Sequence, residues 1–153
     1  MKVRIVNSSA DIISPKTQQA LQTGLYATRN HLPLISRILL SALFLWAAVN
    51  KILHPGMTQQ YMAAYGMPFT GVLLAGAIAL ELLGGLSLLL GVQARWGASI
   101  LAVFTLIATF IFHTNFTDQI QQIMFMKNLS IIGGLLMVVQ HGPGNIALRP
   151  TKP

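Results

Sequence analysis

Residues 69–92 read FTGVLLAGAIALELLGGLSLLLGV. These twenty-four residues carry a single charge, Glu81. A hydrocarbon core of ~30 Å takes about 20 helical residues to cross. With no water to satisfy the backbone, a spanning segment must be a helix or part of a closed barrel. A run this long and without alternation reads as a helix, since barrel strands are short and alternate.

Three further runs resemble it. Counted with 69–92, the spans are 34–53, 69–92, 96–113 and 123–140. The rest of the composition agrees: 54% of the 153 residues are hydrophobic and 8% are charged, where a soluble domain carries roughly 25% charge. The mean hydropathy is +0.64. The expected fold is an all-α integral membrane protein, a four-transmembrane-helix bundle whose immediate partner is the lipid bilayer.

Residues 1–33 read as a polar cytoplasmic tail, loosely ordered, with a weak interfacial helix over Gln18–Arg29. Residues 34–148 form the membrane domain and 149–153 a C-terminal tail. No cleaved signal peptide is expected, because the first apolar run follows 33 mostly polar residues. Between the first two spans, His54-Pro55-Gly56 and Gly66-Met67-Pro68 bracket about two helical turns with Met57, Tyr61 and Tyr65 on one face. Gln93–Arg95 form a tight turn. Asp118-Gln119-Ile120-Gln121 is a capping-box pattern that starts the last helix, and Gly142-Pro143-Gly144 ends it.

The net charge of +7 does not indicate nucleic acid, because the ten basic residues are scattered singly between apolar runs. Their placement sets orientation instead. Lys2, Arg4, Lys16, Arg29, Arg95, Arg149 and Lys152 fall on the side of the termini, and Arg37 can snorkel there. Only Lys51 and Lys127 fall on the other side. The positive-inside rule then makes both N- and C-termini cytoplasmic.

The candidate site rests on polar groups inside the spans, where a charge costs ~2.5–3.5 kcal/mol on insertion scales. Glu81 has about ten apolar residues on either side, with Ala77 and Gly85 on its face, so it points into the bundle. It reads either as a buried structural carboxyl or as a proton or ligand site. Arg37, Ser41, Phe44, Ala48 and Lys51 make one stripe on the first span. Ser99, Ala102, Leu106, Thr109 and His113 make another on the third. Lys127, Ser130 and Gly134 make a third stripe on the last, with Asn128 beside them. Lys51, His113, Lys127 and Asn128 share the outer third of the bilayer. Lys51 and His113 also fit ordinary snorkelling at helix ends, and Lys127 fits an ion pair with Glu81.

Other chemistries find little support. The absence of cysteine excludes disulfides, thiolate metal sites and covalent haem attachment. Gly142–Ala147 fits a dinucleotide fingerprint formally, but it follows a membrane helix and not a strand. No P-loop or zinc-binding histidine motif occurs. A haem held by His54 and His113 is disfavoured by the Pro-Gly loop around His54.

Several short motifs together resemble one family. They are Arg37 at the start of span one, Asn50-Lys51 at its end, Gln60-Tyr61 and Gly66-Met67-Pro68 in the first loop, and Glu81-Leu82-Leu83-Gly84-Gly85 in span two. Phe112-His113-Thr114-Asn115-Phe116, Met124-Phe125-Met126-Lys127-Asn128-Leu129 and Gly142-Pro143-Gly144 complete the set. Over about Leu34–Leu148 the chain is similar to the DoxX family of small four-helix bacterial inner-membrane proteins. The resemblance implies the inner (plasma) membrane and a link to quinone, since the family takes its name from a subunit of quinone-linked oxidoreductase complexes. It implies at most a membrane subunit, with a partner redox subunit supplying electrons, and it does not make this chain an enzyme by itself.

The reading that follows is a quinone-type ligand in the outer half of the bundle. Lys127 and His113 would hydrogen-bond a carbonyl oxygen, and Glu81 would handle the accompanying proton. Lys51, Asn128 and Arg37 are the remaining candidate ligand-binding residues. Two alternatives stay open: a homodimeric proton-coupled exporter of lipophilic compounds, and a non-catalytic scaffold or assembly factor.

Overall fold

The computed structural model describes residues 14–149, with side chains described for 14–20, 24 and 31–149. Among these residues every regular element is a helix: α1 (Pro15–Leu53), α2 (Pro55–Ala64), α3 (Thr70–Leu90), α4 (Ala94–Phe112) and α5 (Gln119–His141). Four helices are long and apolar enough to cross a membrane: His31–Leu53 within α1, then α3, α4 and α5. The short α2 joins α1 to α3.

Local chemistry sets the ends. Pro15 occupies the first turn of α1, where its missing N–H costs nothing. No breaker follows until Pro33, which the helix accommodates. Residues 15–33, expected as a loose tail, are therefore helical and continuous with the span. The expected tail over 1–13 lies outside the described residues. Gly91 ends α3 in the left-handed conformation, φ 68°, and its N–H donates to Leu88 O. Asp118 caps α5, its carboxylate accepting from Ile120 N at 2.9 Å. Gln121, three residues on, does not complete the expected box, because the Asp118 N–H is already donated to Asn115 O at 3.2 Å.

In the bundle, α1 packs chiefly on α3, α3 on α4 and α4 on α5, while the α1–α5 seam is thin. Close approach depends on small residues. Gly84 faces Leu101, where an added Cβ would lie 2.6 Å from Leu101 Cγ, and Gly97 abuts Ser87. The core gathers Phe44, Leu88, Ala98, Leu101, Leu135 and Val138.

Two expected stripes turn out differently. On α1, Arg37, Ser41, Phe44 and Ala48 are all buried, as the spacing predicts. On α4 the buried face runs through Ala94, Ala98, Leu101, Thr105 and Thr109, whereas Leu106 is exposed. The small residues at the start of α4 pull that face against α3. On α5, Leu135 and Val138 are buried while Lys127 and Ser130 face outward. The bulkier apolar residues of α5 win the interior.

Candidate functional site

Glu81, 4% exposed, lies halfway along α3. Its carboxylate accepts two hydrogen bonds from Lys51 Nζ, at 2.8 Å and 3.0 Å. This is the only ion pair among the described residues. From the sequence, Lys127 fits such a pair with Glu81 as one of two readings. The long α1–α3 contact brings Lys51 to Glu81 instead, because Lys51 closes the buried stripe of α1. Lys127 stays on the outer face of α5, its ammonium 3.0 Å from Met124 Sδ.

The pair forms the floor of a cleft of about 620 Å³ between α3 and α4. Such a volume suits a small organic ligand. Small residues, Gly76 and Ala77 on α3 and Ala108 on α4, line the cleft and leave room between the two helices. Apolar side chains form the walls. Val72, Leu80 and Ile107 line the cleft and are themselves exposed on the helix faces, so its mouth opens sideways toward lipid. Over the top lies α2, whose Tyr61 stacks on Phe112 of α4 at a centroid distance of 5.3 Å, while Tyr65, just past the end of α2, meets the same ring edge-on at 5.1 Å. The two tyrosines also meet each other, hydroxyl to hydroxyl, at 3.4 Å. Burial first, and the hydrogen bond to Tyr65 second, push the Tyr61 hydroxyl up to about 12, so it stays a neutral donor at ordinary pH.

His113 also lines the cleft, beside Phe112 at the end of α4. Its Nδ1 lies 2.7 Å from Gln121 Oε1. With Nδ1 donating to that oxygen, Nε2 is left as an acceptor. This contact explains why Gln121 does not cap α5.

Of the six candidate residues, the structure brings Lys51, Glu81 and His113 to one cleft. Asn128 turns instead to α4, where its Nδ2 donates to Thr109 Oγ1 at 2.9 Å. Arg37 lies at the opposite end of the bundle, fourteen residues and about 21 Å of helix from Lys51. It does not snorkel: it is 1% exposed, and Nη2 donates to Ile146 O in the segment after α5. The sequence reading missed Thr58, Tyr61 and Met67 as lining residues. The Pro-Gly brackets around residues 55–65 were the signal that this segment folds back over the bundle.

Comparison with known proteins bears on the whole bundle. The DoxX family profile matches residues 32–114. The inner membrane protein YqjF of Escherichia coli (strain K12) is 46% identical over 111 residues, 72% of this chain and 84% of the relative. The inner membrane protein YphA of the same strain is 30% identical over 128 residues, 80% of this chain and 91% of that protein. No solved structure matches the chain. The matched region holds α2, α3, α4 and the membrane part of α1, hence Lys51, Glu81 and His113, and on this ground the chain belongs to the DoxX family.

Proposed function

We propose that this chain is a multi-pass protein of the bacterial inner membrane that binds a lipophilic, quinone-type ligand in the α3–α4 cleft. The observation that carries the reading is an ion pair, Lys51–Glu81, forming the polar floor of a cleft whose walls are apolar and whose mouth faces lipid. A buried pair contributes little to stability by itself, because desolvation offsets most of the attraction. Its position at the end of a ligand-sized cleft gives it a second use.

The residues present fit a quinone. A quinone is flat and apolar with oxygen acceptors at its edge, so it needs a narrow apolar slot and donors at one end. Lys51 has three N–H groups and engages the carboxylate with its ammonium, leaving capacity for a ligand oxygen. The neutral Tyr61 hydroxyl on the roof, which donates to Tyr65 here, would add a further donor by rotating its O–H toward the cleft. Phe104 and Phe112 supply flat apolar walls. When bound, a quinone supplies two-electron, two-proton chemistry, with electrons delivered by a partner redox subunit. Lys51 would orient the ring by donating to one oxygen. Glu81 would hold or release a proton at that oxygen. His113, at the other side of the cleft, would exchange protons through Nε2.

The inner-membrane placement follows the two relatives, and the orientation follows charge. Four spans put both ends of the described chain on one side, and eight of the ten basic residues lie on that side. Both termini are therefore assigned to the cytoplasm, with α2 on the opposite face. A reporter fluorescent only in the cytoplasm should light up when fused to either end. The ligand is tested by purifying the protein in detergent, extracting bound lipids and identifying them by mass spectrometry. Co-purification of quinone, lost in Lys51→Met, supports the reading. Absence of quinone, with no binding when a short-chain quinone is added, overturns it.

A further inference from the structure

A second cavity, of about 370 Å³, lies beside the cleft on the α2 side. Its lining includes Ala47, Asn50, His54 and Met57, none of which borders the cleft. Three side chains border both spaces: Lys51, Thr58 and Tyr61. They form the partition. The two spaces differ in character. The cleft opens between two membrane helices and is apolar except at its floor. The smaller cavity lies at the end of α1, within the last turn of the helix and the start of α2, and carries an amide, an imidazole and a hydroxyl.

We infer that this site faces two media at once: the ligand enters the cleft from the bilayer, while Lys51 keeps the ligand's polar end next to a water-filled vestibule on the α2 side. The inference rests on the ligand reading above and adds where its protons go. A proton taken up by Glu81 at the floor of a cleft with no other polar outlet would have no onward path. Here the ammonium that touches Glu81 also lines the vestibule, so a proton leaving a ligand hydroxyl has a short path. The ligand O–H breaks as a carboxyl O–H forms on Glu81, and that proton then passes to water beside Lys51. The reverse order takes a proton in. The titratable groups facing this path are Lys51 and His54 at the end of α1, Tyr61 on α2, Glu81 on α3 and His113 after α4. All but Glu81, which sits at mid-depth beneath them, lie at the α2 end of the bundle, so the exchange is with that side and not with the side of Arg37.

The chain has no cysteine, so single-cysteine variants report access without background. Ala47→Cys places a thiol in the vestibule alone, and Gly76→Cys places one in the cleft, where an added Cβ meets nothing within 4 Å. Each is reconstituted in vesicles and treated with a charged, membrane-impermeant thiol reagent or with a lipophilic maleimide. Ala47→Cys should be modified fully by the charged reagent from the α2 side only. Gly76→Cys should resist the charged reagent, react with the maleimide, and be protected by a short-chain quinone.

If Ala47→Cys resists the charged reagent on both sides, the vestibule is dry and the inference fails, while protection of Gly76→Cys leaves the ligand reading standing. If the charged reagent modifies Gly76→Cys, the cleft itself is wet and the division into two media fails. If Gly76→Cys reacts with the maleimide but quinone gives no protection, the ligand reading fails and the inference falls with it. Should Ala47→Cys not accumulate, Asn50→Cys tests the same space.

Discussion

At the scale of single residues, Lys51 and Glu81 carry two separable roles. Removing one partner leaves the other charge buried and unmatched, which for a well-buried pair costs about 3–5 kcal/mol. The Lys51 side chain is 24% exposed, so the cost here falls at the lower end of that range. Glu81→Leu should therefore lower the thermal midpoint in detergent markedly, and Lys51→Met/Glu81→Leu should recover most of it. Quinone affinity should be lost in both variants, and recovery of binding together with stability in the double variant would show that the pair is only a strut. Tyr61 offers a second check. Its folded value of about 12 lies above the ordinary 10.0 of an unfolded chain. A raised value means that the folded state holds the proton more tightly, so the contribution is complete below pH 10 and lost as pH rises toward 12. Ultraviolet titration of tyrosinate should lose its latest-titrating component in Tyr61→Phe. If that variant titrates like the parent, Tyr61 is not in the environment described.

At the scale of elements, the spans were legible because length and apolarity alone decide them: α3 runs over Thr70–Leu90 where the sequence predicts 69–92. The orientation of each helix about its axis was legible only in part. Glu81 was assigned inward because its neighbours Ala77 and Gly85 are small, and it is buried. Lys127 was assigned inward by the same preference for hiding charge, and it is exposed. Ile131, Leu135 and Val138, four, eight and eleven residues further along the same helix, pack on the core, while Lys127 lies near the helix start beyond that contact. A lysine near a helix end can reach the interface, so its charge exerts less control over the rotation than a carboxylate at mid-depth does. The choice of Lys51 over Lys127 as the ion-pair partner was beyond the sequence, because it depends on α1 and not α5 lying against α3. Glycines test this packing. Gly97→Ala would drive a methyl into Ser87 and lies 3.3 Å from the Gly84 carbonyl, which cannot yield as a side chain can. It should destabilise by about 1–3 kcal/mol. Gly133 has open space at its Cβ position, so Gly133→Ala should be neutral or stabilise by up to about 1 kcal/mol through helix propensity. Resistance to unfolding in a denaturing detergent would rank them, and equal behaviour would contradict the α3–α4 packing.

At the scale of the molecule, the two ends of the bundle are built for opposite purposes. The α2 end is loose, with a cleft, a vestibule and a short helix between two Pro-Gly brackets. The other end is shut. There the segment after α5 folds back, the Leu148 N–H donating to Leu90 O at 3.0 Å, and Arg37 reaches across from α1 to Ile146 O. Gly91 leaves the space that the guanidinium fills. Among the described residues no carboxylate pairs with it. Glu81 is committed to Lys51, and Asp118 caps α5 at the far end. The negative end of α3, which terminates at Gly91, supplies the compensating field. This is a weak match for a full charge, and Nε and Nη1 find no acceptor among the described residues. Arg37 therefore holds the closing segment at a cost comparable to what it contributes. Arg37→Met keeps the volume while removing both the bond and the unpaired donors, so it should shift the thermal midpoint little. Arg37→Ala leaves a cavity and should cost about 2–5 kcal/mol. In both variants the amide of Leu148 should exchange faster with solvent hydrogen, since the tie that holds its segment against α3 is gone. If Arg37→Met proves as unstable as Arg37→Ala, the charge itself is required, and the unpaired nitrogens must then meet an anion at the closed end of the bundle.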